Sequence, residues 1–201
     1  MQLANPQPIT PAELVQLAKA SKGKIRHLYL HWTAGRYKQV FDDYHLSIDG
    51  EGNIYSACES LEELKAHTWQ RNSHSVGISL CCCLDALYCG HVDGMPKVNF
   101  GSYPPTQLQI ETMAKVIALL AHYLGLPINE KTVMTHQEAA ALDGYGPFSG
   151  DPQTRWDLWY LLDLPLSAQL KQGGYVLRGK AIWYQLILEQ TGAWEKLWAD
   201  H

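Results

Sequence analysis

The chain has 201 residues, enough for one domain with its own core plus an appended element. Hydrophobic residues make up 46% and charged residues 18%, as in ordinary globular proteins, and the formal net charge of −4 excludes a basic field for holding nucleic acid. No apolar run approaches the roughly 20 residues needed to cross a bilayer.

The N-terminal segment MQLANPQPITPAELVQLAK has no basic stretch followed by an apolar one. The expectation is therefore synthesis in the cytoplasm without a signal peptide. Thr10-Pro11-Ala12-Glu13 forms a capping box with proline at the first helical position, which predicts a helix over about 11–21. Lys24–Trp32 reads as a strand, and Asp43–Ile48 and Asn53–Cys58 as two more joined by the turn Asp49-Gly50-Glu51-Gly52. Ser75–Cys83 is apolar for long enough to be a central strand. After Pro104-Pro105-Thr106, residues Leu108, Met113, Val116, Ile117, Leu120, Ala121 and Leu124 keep helical spacing up to Gly125 and Pro127. Thr132–Met134 reads as a short strand leading into Thr135-His136, and Arg155–Leu162 as a helix stopping before Pro165. The class is α/β, a mixed central β-sheet flanked by α-helices. Gln172-Gly173-Gly174 reads as a hinge. The helical pattern beyond it has an apolar stripe through Ile182, Leu186 and Leu188 and is expected to pack back on the domain. Its three tryptophans also allow contact with a membrane surface, although Lys and Arg are few.

Five cysteines include the contiguous Cys81, Cys82 and Cys83. Neighbouring cysteines rarely reach bridging geometry, and the C-x-x-C spacing of a metal or redox cluster is absent. They read as small buried apolar residues, Cys81 and Cys83 on one side of the strand and Cys82 on the other.

His31 ends one predicted strand and His136 follows another. Strand ends are where an α/β sheet exposes side chains to a crevice. Two imidazoles joined by a carboxylate or thiolate make a three-ligand zinc site with a fourth position open to water. The pKa of that water would fall toward about 7, which supplies a nucleophile.

The words LHWTAG, YHLSIDGEGNIY, HTWQRNSHSVGISL, YPPTQLQIETMAKVIALLAHYLGLP, VMTHQEA and RWDLW occur in that order over about residues 24–164. The chain thereby resembles the zinc-dependent N-acetylmuramoyl-L-alanine amidases of the type-2 family, which includes the peptidoglycan recognition proteins, and within it the phage and prophage endolysins. The resemblance implies zinc held by His31, His136 and a third ligand in a basic-x-acid pattern. Arg155-Trp156-Asp157 fits that pattern with Asp157 as ligand, and Asp151-Pro152 is the rival. Tyr44 matches a tyrosine near the zinc, able to hydrogen-bond the attacking water or the scissile carbonyl. Arg155 stands where many members carry lysine. It could stabilise an oxyanion, but a guanidinium keeps its proton. Ser79 occupies a position where some bacterial members carry a catalytic glutamate, so the chain resembles instead the tyrosine-using branch. Glu138 reads as a support for the ligands or a helix-start residue. His67 and Asn72 sit where relatives line the substrate groove.

The resemblance implies residues 1–165 as a zinc amidase domain and 166–201 as a C-terminal helical extension. It implies hydrolysis of the amide between N-acetylmuramic acid and L-alanine of peptidoglycan, with action in the periplasm or cell wall after release. A non-catalytic peptidoglycan-binding module and a cytoplasmic muropeptide-recycling amidase stay open as alternatives.

Overall fold

A computed structural model describes residues 2–150, 155–166 and 169–199. The elements run β1 (Gln7–Pro8), α1 (Pro11–Ala20), β2 (His27–Trp32), β3 (Leu46–Ile48), β4 (Ile54–Ser56), β5 (Ser75–Leu80), β6 (Leu87–Val92), β7 (Met95–Asn99), α2 (Gln107–Leu124), β8 (Val133–Thr135), α3 (His136–Leu142), β9 (Tyr160–Leu162), β10 (Leu170–Gln172) and α4 (Gly173–Thr191), then a 3₁₀ turn at Trp194–Leu197. Six strands form one mixed sheet in the order β1-β4-β3-β5-β2-β8. The β2–β5, β2–β8 and β3–β5 pairs are parallel, and β3–β4 and β1–β4 are antiparallel. The sheet flanked by helices is the architecture expected from the sequence. Among the described residues no helix is long and apolar enough to cross a membrane.

The two-residue alternation of the strands creates two different faces. Leu28, Leu30 and Trp32 of β2, with Val76, Ile78 and Leu80 of β5, point into the main core beside α1 and α2. The intervening residues of β2 are His27, Tyr29 and His31, and their register partners on β5 are Ser75, Gly77 and Ser79. That face carries small or polar residues beside large rings, and space above it is left for side chains from neighbouring loops. Ser79 is fully buried there, its hydroxyl 2.9 Å from that of Ser47.

Helices α1 and α2 start as the sequence predicts. Thr10 and Glu13 form the α1 capping box, Thr106 and Gln109 that of α2, and Gly125 closes α2 in the left-handed conformation. Cys81, Cys82 and Cys83 are buried free thiols just past β5. Cys83 has a positive φ, so the three do not alternate as a strand would.

Three further local expectations are corrected. The segment Arg155–Leu162 is not a helix: it is irregular, turns at Asp157–Leu158, and enters β9, which pairs with β10. Leu158 takes a φ of 58°, and Trp159 N bonds Trp156 O, so the chain reverses where a helix would continue. Gln172-Gly173-Gly174 is not a hinge but the start of α4. A Cβ on Gly173 would strike Leu158 O and one on Gly174 the Glu138 carboxylate, so these glycines permit close packing. Finally, the inward face of α4 is Val176, Leu177, Ala181, Tyr184 and Leu188, packed on α2, β8 and β9. Ile182 and Leu186 are 43% and 49% exposed, so of the expected stripe only Leu188 is buried. The helix itself lies back on the core as expected, and Trp194 and Trp198 pack there too.

Candidate metal centre

His31 is the fifth residue of β2 and is fully buried on the face opposite the main core. β8 runs parallel to β2 and passes directly into α3. Thr135 is the N-cap of α3 and forms a capping box with Glu138, so His136 is the first helical residue. Glu138 is thus the helix-start residue, one of the two readings the sequence allowed. Its carboxylate also accepts from both terminal nitrogens of Arg178 in α4 at 2.8 Å each. Asp157 sits in the turn before β9, held to α3 by a bond from Gln137 N to its own carbonyl. Trp156 stacks edge-on against Trp32 beside it, centroids 4.9 Å apart.

These elements bring three donors together. His31 Nδ1 lies 3.1 Å from His136 Nδ1 and 3.2 Å from Asp157 Oδ2. His136 Nδ1 is also 3.2 Å from the Asp157 carboxylate. One ligand atom from each residue falls within 4.8 Å of the others, and all three residues are buried. Asp151, the rival third donor, lies outside the described residues. On the far side of each imidazole, His31 Nε2 faces Thr68 Oγ1 at 3.3 Å and His136 Nε2 faces Tyr145 Oη at 3.4 Å.

Burial pushes the His31 imidazole down to about 4, against the opposing pull of Asp157. For Asp157, burial acts to raise the pKa, but the two imidazoles beside it overcome this and hold it well below the carboxylate range. The charged carboxylate and the neutral His31 ring are the protonation states in which such groups bind a cation.

The donors open onto a cleft of about 390 Å³ lined by Trp32, Thr33, Tyr44, His67, Arg155 and Asp157. A second space of about 530 Å³ is lined by His67, Trp69, Asn72, Tyr145 and Arg155. His67, His136 and Arg155 belong to both walls. The Tyr44 ring lies 5.0 Å from that of His31. Burial, reinforced by Asp157, raises its phenol far above the ordinary range, so Tyr44 keeps its proton. His67 presents its ring to the cleft, yet its Nδ1 is 2.9 Å from Thr68 Oγ1 and its Nε2 is 3.3 Å from Ser75 Oγ. Asn72 lines the second space while its Oδ1 accepts from Thr68 N at 2.8 Å. All seven site residues named from the sequence thus border this cleft system or its donors.

Sequence reasoning missed Thr68, Tyr145, Arg178 and the helix α3. For α3 the signal was present, since Thr135-His136-Gln137-Glu138 is a capping box. His45 also lies close but is structural: its Nδ1 accepts from Gly77 N and its Nε2 donates to Glu63 O.

No curated protein matches the chain. A family model described as N-acetylmuramoyl-L-alanine amidase (Amidase_2) matches residues 21–152, a span that holds His31 and His136 and stops five residues short of Asp157. With the mixed sheet and the buried donor cluster beside that match, the chain belongs to the Amidase_2 family of N-acetylmuramoyl-L-alanine amidases, whose activity is on peptidoglycan.

Proposed function

We propose that this protein is a zinc-dependent hydrolase of the amide bond between N-acetylmuramic acid and L-alanine in peptidoglycan, of the phage or prophage endolysin type. The observation that carries the zinc reading is the convergence of His31 Nδ1, His136 Nδ1 and the Asp157 carboxylate within 3.2 Å of one another. The donor set fits the metal. Two nitrogens and one oxygen suit zinc, and three protein ligands leave a coordination position for substrate or water. Hydrogen-bonding groups behind both imidazoles match the outer support that metal-binding histidines need.

When bound, zinc supplies a water of lowered pKa and a polarised carbonyl. His31, His136 and Asp157 would hold it. Tyr44 keeps its proton and so donates a hydrogen bond to the carbonyl oxygen as negative charge builds there. Arg155 sits on the wall shared by both spaces and offers its cation to the same charge. A donor of this kind is worth about 3 kcal/mol of barrier in other hydrolases. His67 and Asn72 border the groove that would receive the glycan-linked peptide. With both of its ring nitrogens engaged by protein hydroxyls, His67 meets substrate through its ring face and edge. Action in the periplasm or wall after release follows from the endolysin likeness. The exposed Tyr175, Trp183, Ile182 and Leu186 on α4 offer apolar surface for membrane contact.

The test is zinc content together with release of free L-alanine amino groups from purified sacculi. Wild type is expected to hold one zinc per chain and to release peptide, whereas Asp157→Ala loses both and keeps its fold. Zinc retained at full stoichiometry in Asp157→Ala would remove Asp157 from the ligand set. Zinc bound without any peptide release would make the chain a binding module.

A further inference from the structure

We propose that Ser75, His67 and Thr68 form a proton-ordered chain that fixes His31 in its metal-binding tautomer, and that Thr68 is the positioning residue in direct contact with the ligand. This inference rests on the metal reading above.

The order is set at the end far from the metal. Ser75 Oγ lies 2.8 Å from Arg71 O and 3.0 Å from Asn72 O. Carbonyl oxygens only accept, so the single hydroxyl proton of Ser75 is committed to them. His67 Nε2, 3.3 Å from the same hydroxyl, must then be the donor. A neutral imidazole with its proton on Nε2 has a lone pair on Nδ1. Thr68 Oγ1, 2.9 Å from that Nδ1, therefore donates to it. With its own proton spent, Thr68 Oγ1 turns a lone pair toward His31 Nε2 at 3.3 Å. His31 must carry its proton on Nε2, and its Nδ1 is left bare, aimed at His136 Nδ1 and Asp157 Oδ2.

The reverse order fails at both ends. A proton on His67 Nδ1 would set its Nε2 lone pair against a Ser75 oxygen whose proton is already engaged. It would also push the Thr68 proton onto His31 Nε2 and leave an N–H on the very nitrogen that faces the other donors. Ser75, Thr68 and His31 are at most 2% exposed, and both nitrogens of His67 are turned to protein hydroxyls, so little bulk water reaches these atoms to repair a mismatch. Two further features hold the chain in place. Asn72 Oδ1 accepts from Thr68 N at 2.8 Å and fixes the Thr68 backbone. Gly77 leaves room for His67, since a Cβ there would come within 2.5 Å of the ring.

Two measurements test the proposal. The first is zinc affinity, read by competition with a chromophoric chelator. Thr68→Val keeps the shape and removes the hydroxyl, and is expected to weaken zinc binding by about 10–100-fold. Thr68→Ser restores the hydroxyl and is expected to stay within about threefold of wild type. The second needs no variant: imidazole nitrogen NMR of the metal-free wild type is expected to show His67 protonated on Nε2. A His67 protonated on Nδ1, or a folded Thr68→Val that binds zinc as tightly as wild type, overturns the chain. If wild type binds zinc and releases peptide under those outcomes, the amidase reading stands without it. A wild type that binds no zinc removes both.

Discussion

Replacing Arg178 by methionine tests whether the C-terminal helix supports β8 and α3, the strand and helix that place His136. Arg178 donates to both oxygens of Glu138 at 2.8 Å and to Val133 O at 2.9 Å, so one side chain of α4 grips both α3 and β8. Its side chain is only 10% exposed and that of Glu138 27%. Methionine fills much of the same space but leaves the Glu138 carboxylate and the Val133 carbonyl without this donor. Breaking a buried pair by removing one member costs about 3–5 kcal/mol, and the partial exposure of Glu138 lowers the expected value to about 3 kcal/mol. Urea unfolding of the metal-free protein measures this loss. A double-mutant cycle with Glu138→Gln isolates the pair and is expected to give a coupling of about 1.5 kcal/mol or more. An Arg178→Met protein within about 0.5 kcal/mol of wild type, or a coupling below that value, would refute the argument that α4 secures α3 through this contact.

Gly77→Ala drives a methyl group into the His67 ring, and is expected to lower stability by about 1–3 kcal/mol and to weaken zinc binding; unchanged unfolding midpoints would count against the packing described. Tyr44→Phe removes a donor without removing a metal ligand, so kcat on a soluble muropeptide should fall about 100-fold or more with zinc affinity unchanged, and equal kcat would exclude the role. The third concerns acid. Burial pushes His45 from 6.5 down to about 4, so below 6.5 the unfolded chain takes up a proton that the native state refuses. Stability of the metal-free protein should therefore drop as pH falls through that window, by up to about 1.4 kcal/mol per pH unit from this group, and His45→Gln should flatten the slope in urea titrations.

The two histidines were legible because alternation is a strong signal. Once Leu28, Leu30 and Trp32 are assigned inward, His31 must face the other side, and Thr135-His136 follows a strand of the same sheet. Asp157 was legible only through its motif, and the surrounding segment was misread as helix. Its aromatic residues, Trp156, Trp159 and Tyr160, fall at i, i+3 and i+4 as in a helix, and the deciding factor was pairing with β10 across a turn. The α4 stripe went wrong for a similar reason. Tyr184 and Val176 are buried on a helix that packs on α2 and β8, whose positions no periodicity reveals, whereas Ile182 stays 43% exposed. The β6–β7 hairpin was passed over although Asp93-Gly94 lies at its turn, because Gly90 and Pro96 interrupt the alternation that marks strands. Thr68 was not legible at all. Its part depends on which atoms of His31 and His67 face it, and those are set by the folded sheet.

The three adjacent thiols behind β5 bear on where such a protein can work. Burial drives Cys81 up to about 12 and Cys82 well above the thiol range, and Cys58 is also raised. Reaction with oxidants or disulfides proceeds through the thiolate, whose share at neutral pH is then on the order of one part in 10⁵ for a group like Cys81. In an oxidising compartment Cys81 and Cys82 would therefore react slowly for as long as they stay buried. Cys89, exposed on the β6–β7 hairpin, is the sulfur that such an environment would reach first.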